Sequence, residues 1–207
     1  MQLREALSDI AQIRALLDRN QAYRGFRSVA IGISAGFVLL GSLVQLQSDL
    51  VHTPSRYLDI WLCVAVGSLA VTAVEMIVRG RKSNDWSVWK MHGKVAISIL
   101  PSFVVGALIT AALVLDSNNI MILVRTNMWI LPGCWALIYS LGLFACCHLL
   151  HRTTRFAAFY YLIAGCLYLV LNWSAHEVRA WHMVAIFGVG QLILATILYW
   201  KVERQHG

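Results

Sequence analysis

The histidine side chains of this chain are the groups that could bind a cofactor. His148 and His151 are three positions apart and share one face of a helix, and His92 is expected at the same membrane surface. Imidazole nitrogens are ligands for haem iron and for several metal ions. The trio therefore yields a haem-binding hypothesis. The competing interpretation, which we favour, is that these are solvated histidines at helix ends.

Two polar residues fall inside apolar stretches, where function in a membrane protein is often located. Glu75 precedes Arg79 by four positions, which predicts an ion pair at the end of a helix. Gln191 has no partner nearby in sequence, so we expect its amide to bond across to another helix. The alternative is a polar path for a substrate or ion through Glu75 and Gln191.

Catalysis is not predicted, because no group of nucleophile, base and carboxylate is recognisable. The five cysteines lie in apolar stretches, form no Cys-x-x-Cys motif and are odd in number, which argues against a disulfide framework. We predict no metal site. Histidines near the other membrane surface are treated in the same way as the first trio: His52, His176 and His182.

Six apolar segments have to position these side chains. A hydrocarbon core about 30 Å thick needs roughly 20 apolar helical residues to cross it, and every backbone amide must be satisfied inside it. The composition, 59% hydrophobic and 13% charged, is typical of a membrane protein. The predicted fold class is therefore an all-α polytopic membrane bundle. Its six transmembrane helices are predicted at 28–46, 57–78, 95–115, 128–150, 157–173 and 181–200.

The chain is predicted to have three parts: a leader at 1–27, the transmembrane domain at 28–200 and a short tail at 201–207. Apolar residues recur at helical spacing in the leader, from Leu3 to Leu17, with charged residues between them. This amphipathic helix would lie on the membrane, pack under the bundle, or dock a cytoplasmic protein. No cleavable signal is expected, since both signs of charge run through the leader.

Basic residues predict the orientation of the bundle. If the leader is cytoplasmic, fourteen Lys and Arg residues fall on the inner side, whereas only Arg56, Arg125 and Arg179 fall outside. Both termini are thus expected in the cytoplasm. The net charge of +7 is explained by this asymmetry and by attraction to anionic lipid. It gives no reason to expect nucleic-acid binding.

Further sequence features predict how the helices pack, where they begin and what a loop between them contacts. Gly32 and Gly36 form a G-x-x-x-G motif, which predicts close helix packing or a homo-oligomer. Pro101 and Pro132 are expected to begin their helices. The 79–94 segment, rich in Lys, Arg and Trp, is predicted as a cytoplasmic loop that faces lipid or holds a protein partner.

Three short segments carry a resemblance to a known family. They are 131–139 (LPGCWALIY), 187–191 (FGVGQ) and 9–14 (DIAQIR). In these the chain resembles a family of uncharacterised bacterial six-span inner-membrane proteins. The resemblance implies a bacterial inner-membrane location and, through neighbouring winged-helix regulators, a regulatory context. Family members often have histidine where this chain has Gln191, so a ligand that depends on that histidine would be lost here.

These observations favour a non-enzymatic sensor, regulatory partner or accessory subunit that acts through the leader and the 79–94 segment. A haem- or quinone-binding redox protein is the first alternative, and it would rest on His92, His148 and His151. A small transporter or channel is the second. An enzyme is the least expected class.

Overall fold

A computed structural model describes the chain over residues 28–47, 54–83, 86–114, 128–147, 149, 153–175 and 178–200. The leader and the tail lie outside the described residues, and so do His148 and His151. Nearly all of the described residues lie in helices, and none of them lies in a β-strand.

Six long helices in these segments are apolar and long enough to cross a membrane, as the sequence predicts. The chain is a multi-pass membrane protein of the all-α bundle class. A 3-10 turn at Met128–Ile130 precedes α4, and a π-helical segment at Val184–Gly188 interrupts α6. The helices are α1 Ser28–Gln47, α2 Pro54–Ser83, α3 Trp86–Val114, α4 Leu131–Cys146, α5 Thr154–Asn172 and α6 Ala180–Leu198.

Residues 79–94 are not the loop that the sequence predicts. α2 continues to Ser83 and α3 already begins at Trp86. Arg, Lys and Met favour helix, so a helix can continue through charged residues beyond the lipid. A hydropathy pattern does not detect this continuation. We call the helical residues 79–83 and 86–94 the α2–α3 tip, and the side of the bundle that carries it the tip end.

Two further predictions about helix ends are wrong. Because α3 begins at Trp86, Pro101 lies inside the helix and does not begin it. The fourth span stops at Cys146, short of the predicted residue 150, where the Leu149 amide donates to the Cys146 carbonyl at 2.9 Å in a tight turn. Pro132, by contrast, lies in the first turn of α4, as predicted.

The centre of the bundle lies between α4, α5 and α6. Ala136, Ala157, Ala158 and Tyr161 are wholly buried there. Small residues allow the helices to approach closely, since a Cβ atom added at Gly165 would lie 3.1 Å from the Cβ atom of Ala136. α1 packs between α2 and α6, while α3 packs on α4.

α2 and α3 form the periphery of the bundle. In the apolar stretch that would cross the membrane, only 6% of α2 and 11% of α3 is buried, against 50% of α4. Their exposed apolar side chains form a surface suited to lipid. The two helices touch at the α2–α3 tip, where a Cβ atom added at Gly80 would lie 2.7 Å from Cε2 of Trp89.

The G-x-x-x-G motif of α1 does not mediate a close contact between described helices. A Cβ atom added at Gly32 or Gly36 would meet nothing within 4 Å, whereas one added at Gly41 would lie 2.6 Å from Cγ2 of Val64 on α2. α1 therefore approaches α2 through Gly41, and the spacing of glycines alone does not reveal which face meets a neighbour. A homo-oligomer through Gly32 and Gly36 remains a prediction.

Candidate functional site

The predicted histidine site is represented by His92 alone. His92 is 5% exposed, so it is not the solvated residue that we favoured, because α3 extends past it and carries it into the bundle. Its ring meets that of Trp89 edge-on at 6.1 Å. His148 and His151 lie outside the described residues, and the described His, Cys, Asp and Glu residues form no group of three suited to a metal ion.

The two polar intramembrane residues have different settings. Glu75 is partly buried near the tip end of α2, and the side chain of Arg79 is outside the described part, so their ion pair remains a prediction. The Gln191 side chain on α6 lies within hydrogen-bonding reach of the Tyr139 side chain on α4. This is the kind of cross-helix contact expected of an amide in a membrane bundle.

Three tyrosines form a cluster around this contact, which we call the central tyrosine cluster: Tyr139, Tyr160 and Tyr161. The ring of Tyr161 lies edge-on to Tyr139 at 4.8 Å and to Tyr160 at 5.8 Å. Gly190 makes room for it, since a Cβ atom there would lie 2.4 Å from Cζ of Tyr161.

The central tyrosine cluster also contacts the irregular part of α6. The hydroxyl of Tyr160 donates to the carbonyl of Ala185, which lies in the π-helical segment. There the Val189 amide donates to the Val184 carbonyl, a wider turn than that of an α-helix. Such segments often accompany functional sites because they redirect the side chains around them.

Two buried aromatic pairs lie at the opposite end of the bundle from the α2–α3 tip. We call them together the distal cluster, and they are Tyr57 with Trp61 on α2, and Tyr168 on α5 with His182 on α6. All four are buried. The rings of Tyr168 and His182 are 5.0 Å apart, and those of Tyr57 and Trp61 are 6.3 Å apart.

Two polar side-chain atoms of the distal cluster have hydrogen-bond partners inside the chain. Trp61 Nε1 donates to Gln45 at 2.9 Å, and the amide of Arg179 donates to His182 Nδ1 at 3.2 Å. The hydroxyls of Tyr57 and Tyr168 are different, because they are buried and find no hydrogen-bond partner in the described part of the chain. Two donors are therefore left facing the interior.

Sequence reasoning missed these tyrosines. Tyr161 and Tyr168 are seven residues apart on α5 and lie on one helix face, which is a signal that could have found them. The same spacing is equally typical of plain core residues, so it does not predict which hydroxyls end up without a partner.

The charged surface lies at the tip end. Trp86 is 70% exposed at the start of α3. The exposed cationic residues of the tip are Arg81, Lys82, Lys90 and Lys94. The arrangement is a basic and aromatic surface on two helices that touch through Gly80 and Trp89.

Comparison with protein-family models, with curated proteins and with solved structures finds no match to this chain. The resemblance to a bacterial six-span family therefore remains a prediction from three short segments. Any statement about function has to be argued from the bundle itself.

Proposed function

We propose that this chain is a non-enzymatic protein of the bacterial inner membrane, with both termini in the cytoplasm. It acts as a sensor, regulatory partner or accessory subunit that contacts another protein through the α2–α3 tip. The supporting observation is the exposed basic and aromatic surface of that tip. The leader is a second contact surface in this proposal, although it lies outside the described residues.

The lengths of the two helices support a position of the tip beyond the lipid. α2 has 30 residues and α3 has 29. At 1.5 Å per residue each is about 45 Å long, which exceeds the roughly 30 Å of the hydrocarbon core. The charged residues are concentrated at the tip end, so the excess length projects on that side.

The chemistry of the tip indicates what it would bind. Exposed tryptophan beside cationic side chains is typical of protein contact surfaces, where Trp and Arg contribute much of the binding energy. The partner should therefore present acidic residues around an apolar recess. Gly80 and Trp89 fix the two helices against each other, so little ordering is required when the partner binds.

The interior of the bundle supports a non-enzymatic role. Its buried polar groups are mostly uncharged and bond within the chain, as Ser140 does to the carbonyl of Leu137 and Asn172 to that of Tyr168. Both bonds lie within a single helix, to a carbonyl three or four residues earlier, and they satisfy the polar side chain without any change of protonation.

Paired variants of the full-length membrane protein test the proposal. We expect capture of a specific partner by wild type, and roughly tenfold weaker capture when Arg81→Ala and Lys82→Ala are combined, since both cations face outward at the tip. Arg56→Ala is the matched control, because it removes an exposed cation at the opposite end of α2. Equal capture by all three proteins would contradict the proposal.

A haem protein is the second candidate, favoured by the burial of His92. An optical spectrum of the purified protein, oxidised and then reduced, tests it. The leading proposal predicts a colourless protein. A Soret band that disappears in His92→Ala would establish the haem function instead.

A further inference from the structure

An apolar groove runs along the bundle between α1 and α2. Its volume is about 420 Å³, which lies within the range of roughly 300–1,000 Å³ that is usual for small-molecule sites. Two glycines shape it. Gly41 brings α1 against Val64 of α2, and Gly67 leaves ordinary contact distance to the ring of Phe37, with 3.6 Å from an added Cβ atom to Cε2.

The groove opens outward, on the side of the bundle that would face lipid. Leu40 and Val44 of α1 line it and are more than half exposed, and the thiol-bearing Cys63 of α2 lines it and is exposed as well. All three lie in helices that are apolar and long enough to cross a membrane. Whatever fills the groove therefore comes from within the bilayer.

The length of the groove matches one leaflet. Along α2 its lining extends from Asp59 to Gly67, eight residues or about 12 Å at 1.5 Å per residue. The hydrocarbon core is about 30 Å thick. The groove thus covers less than half of the core, from the beginning of α2 to near its middle. A helix of a second copy would need a surface along the whole core, whereas one acyl chain needs only a leaflet.

A carboxylate marks the outer end of the groove. Asp59 alone carries a charge among the described residues that line it. It lies in the second turn of α2, which begins at Pro54, so it is at the level of lipid headgroups. A carboxylate only accepts hydrogen bonds, and its strongest partners are cationic donors. The polar end of the occupant should therefore be an ammonium group with N–H donors.

We propose that this groove binds a phospholipid with a primary-amine headgroup, phosphatidylethanolamine, in the leaflet opposite the α2–α3 tip. One acyl chain lies in the groove beside Gly67, and the ammonium group donates to the Asp59 carboxylate. A headgroup that is only anionic would be repelled by Asp59. The inference goes beyond the proposed partner contact and is independent of it, because it uses the other end of α2.

Native mass spectrometry of the full chain in detergent tests the headgroup contact. Palmitoyl-oleoyl phosphatidylethanolamine is compared with palmitoyl-oleoyl phosphatidylcholine, which has the same chains but no N–H donor. We expect one saturable site for the amine lipid and roughly threefold to tenfold weaker binding of the choline lipid, the value of one hydrogen bond to a charged group at an exposed position. Asp59→Asn should remove that difference. If Asp59 serves only Arg56, one turn earlier on α2, the difference would persist in Asp59→Asn and the inference would be overturned.

Filling the groove tests the acyl-chain contact. Gly67→Leu should weaken binding of both lipids several-fold, because the added side chain occupies the space beside Phe37. Ala65→Leu is the matched control on the same helix at nearly the same depth, since Ala65 is exposed and does not line the groove. Equal binding by the two variants would contradict a chain in the groove.

Alkylation of wild-type cysteines by N-ethylmaleimide in nanodiscs gives a readout that no substitution can disturb. Cys63 lines the groove, whereas Cys166 on α5 is equally exposed outside it. We expect the amine lipid to slow the alkylation of Cys63 several-fold relative to the choline lipid and to leave Cys166 unchanged. Equal rates for Cys63 in the two lipids would overturn the inference. Protection of Cys63 in both lipids together with a dimer mass would assign the groove to a second copy, which would overturn it as well.

Discussion

At the scale of single residues, the interior of this bundle is arranged around tyrosine rings that need glycine beside them. Tyr161 is enclosed by the rings of Tyr139, Tyr160 and Phe187, and Gly190 lies on its remaining side. Any side chain at position 190 would have to displace the ring of Tyr161, which is enclosed by the three other rings. The position therefore depends on tertiary packing and not on helix propensity.

Replacing Gly190 by alanine should destabilise the protein. The added Cβ atom would lie 2.4 Å from Cζ of Tyr161, and overpacking of this kind costs about 1–3 kcal/mol of unfolding free energy. Unfolding in mixed detergent micelles measures the change. Gly36→Ala is the control, because its Cβ atom would meet nothing within 4 Å and alanine favours helix. Equal losses in the two variants would contradict the packing described here.

The contact between Gln191 and Tyr139 makes a second prediction at this scale. In a double-mutant cycle with Gln191→Leu and Tyr139→Phe, we expect a coupling free energy of about 0.6–1.7 kcal/mol, as found for hydrogen bonds between membrane helices. The measurement is again unfolding in micelles. A coupling near zero would show that the two side chains act independently and that α4 and α6 are not joined there.

At the scale of elements, α2 is unusual because it has few buried residues but contributes to both ends of the bundle. Its first turns carry Tyr57 and Trp61 into the distal cluster, and its last turns carry Gly80 to Trp89 at the α2–α3 tip. Between these contacts most of its side chains face outward. α2 also packs along α1 between these contacts, where Gly41 approaches Val64, so it is held at its two ends and by α1.

Gly80→Ala tests the role of the contact at the tip. The added Cβ atom would lie 2.7 Å from Trp89, so the ring has to shift and the two helices should separate slightly. We expect partner capture to fall several-fold while the bundle stays folded, because the tip lies at the periphery. Gly93→Ala is the matched control in α3, since nothing lies within 4 Å of its added Cβ atom. Capture that is unchanged in Gly80→Ala would show that the tip contact is not needed for binding.

The elements themselves were largely predictable from sequence, because hydropathy reports directly on burial in lipid. α1, predicted at 28–46, is observed at Ser28–Gln47, and α6 is similarly close to its prediction. The ends of α2 and α3 were not predictable in this way. They continue as helix through charged residues, where hydropathy has no signal and only helix propensity and the Gly80 contact with Trp89 favour the extension.

The candidate site was less accessible to sequence reasoning. Gln191 stood out as a polar residue in an apolar helix, and its partner Tyr139 did not, because tyrosine is equally usual at membrane interfaces and in cores. The same ambiguity hid Tyr57 and Tyr168. Whether a glycine such as Gly41 or one such as Gly36 meets a neighbour depends on the rotation of α1, which no local pattern encodes.

At the scale of the whole molecule, the two ends of the bundle have different chemistry. Both ends carry exposed tryptophan, but exposed cationic side chains are concentrated at the tip end, whereas the opposite end buries the distal cluster. The α4–α5–α6 core between them is closely packed through small residues and tyrosine rings. We propose that the tip end presents its basic and aromatic surface to a partner protein.

Photo-crosslinking from the α2–α3 tip in living cells tests the proposed contact with a partner protein. A photoreactive amino acid would replace Trp86 at the tip in one protein and Trp173 at the opposite end in another, since both side chains are largely exposed. We expect a discrete protein adduct from position 86 that is absent from position 173. Adducts with lipid alone at position 86, or the same protein adducts from both positions, would contradict it.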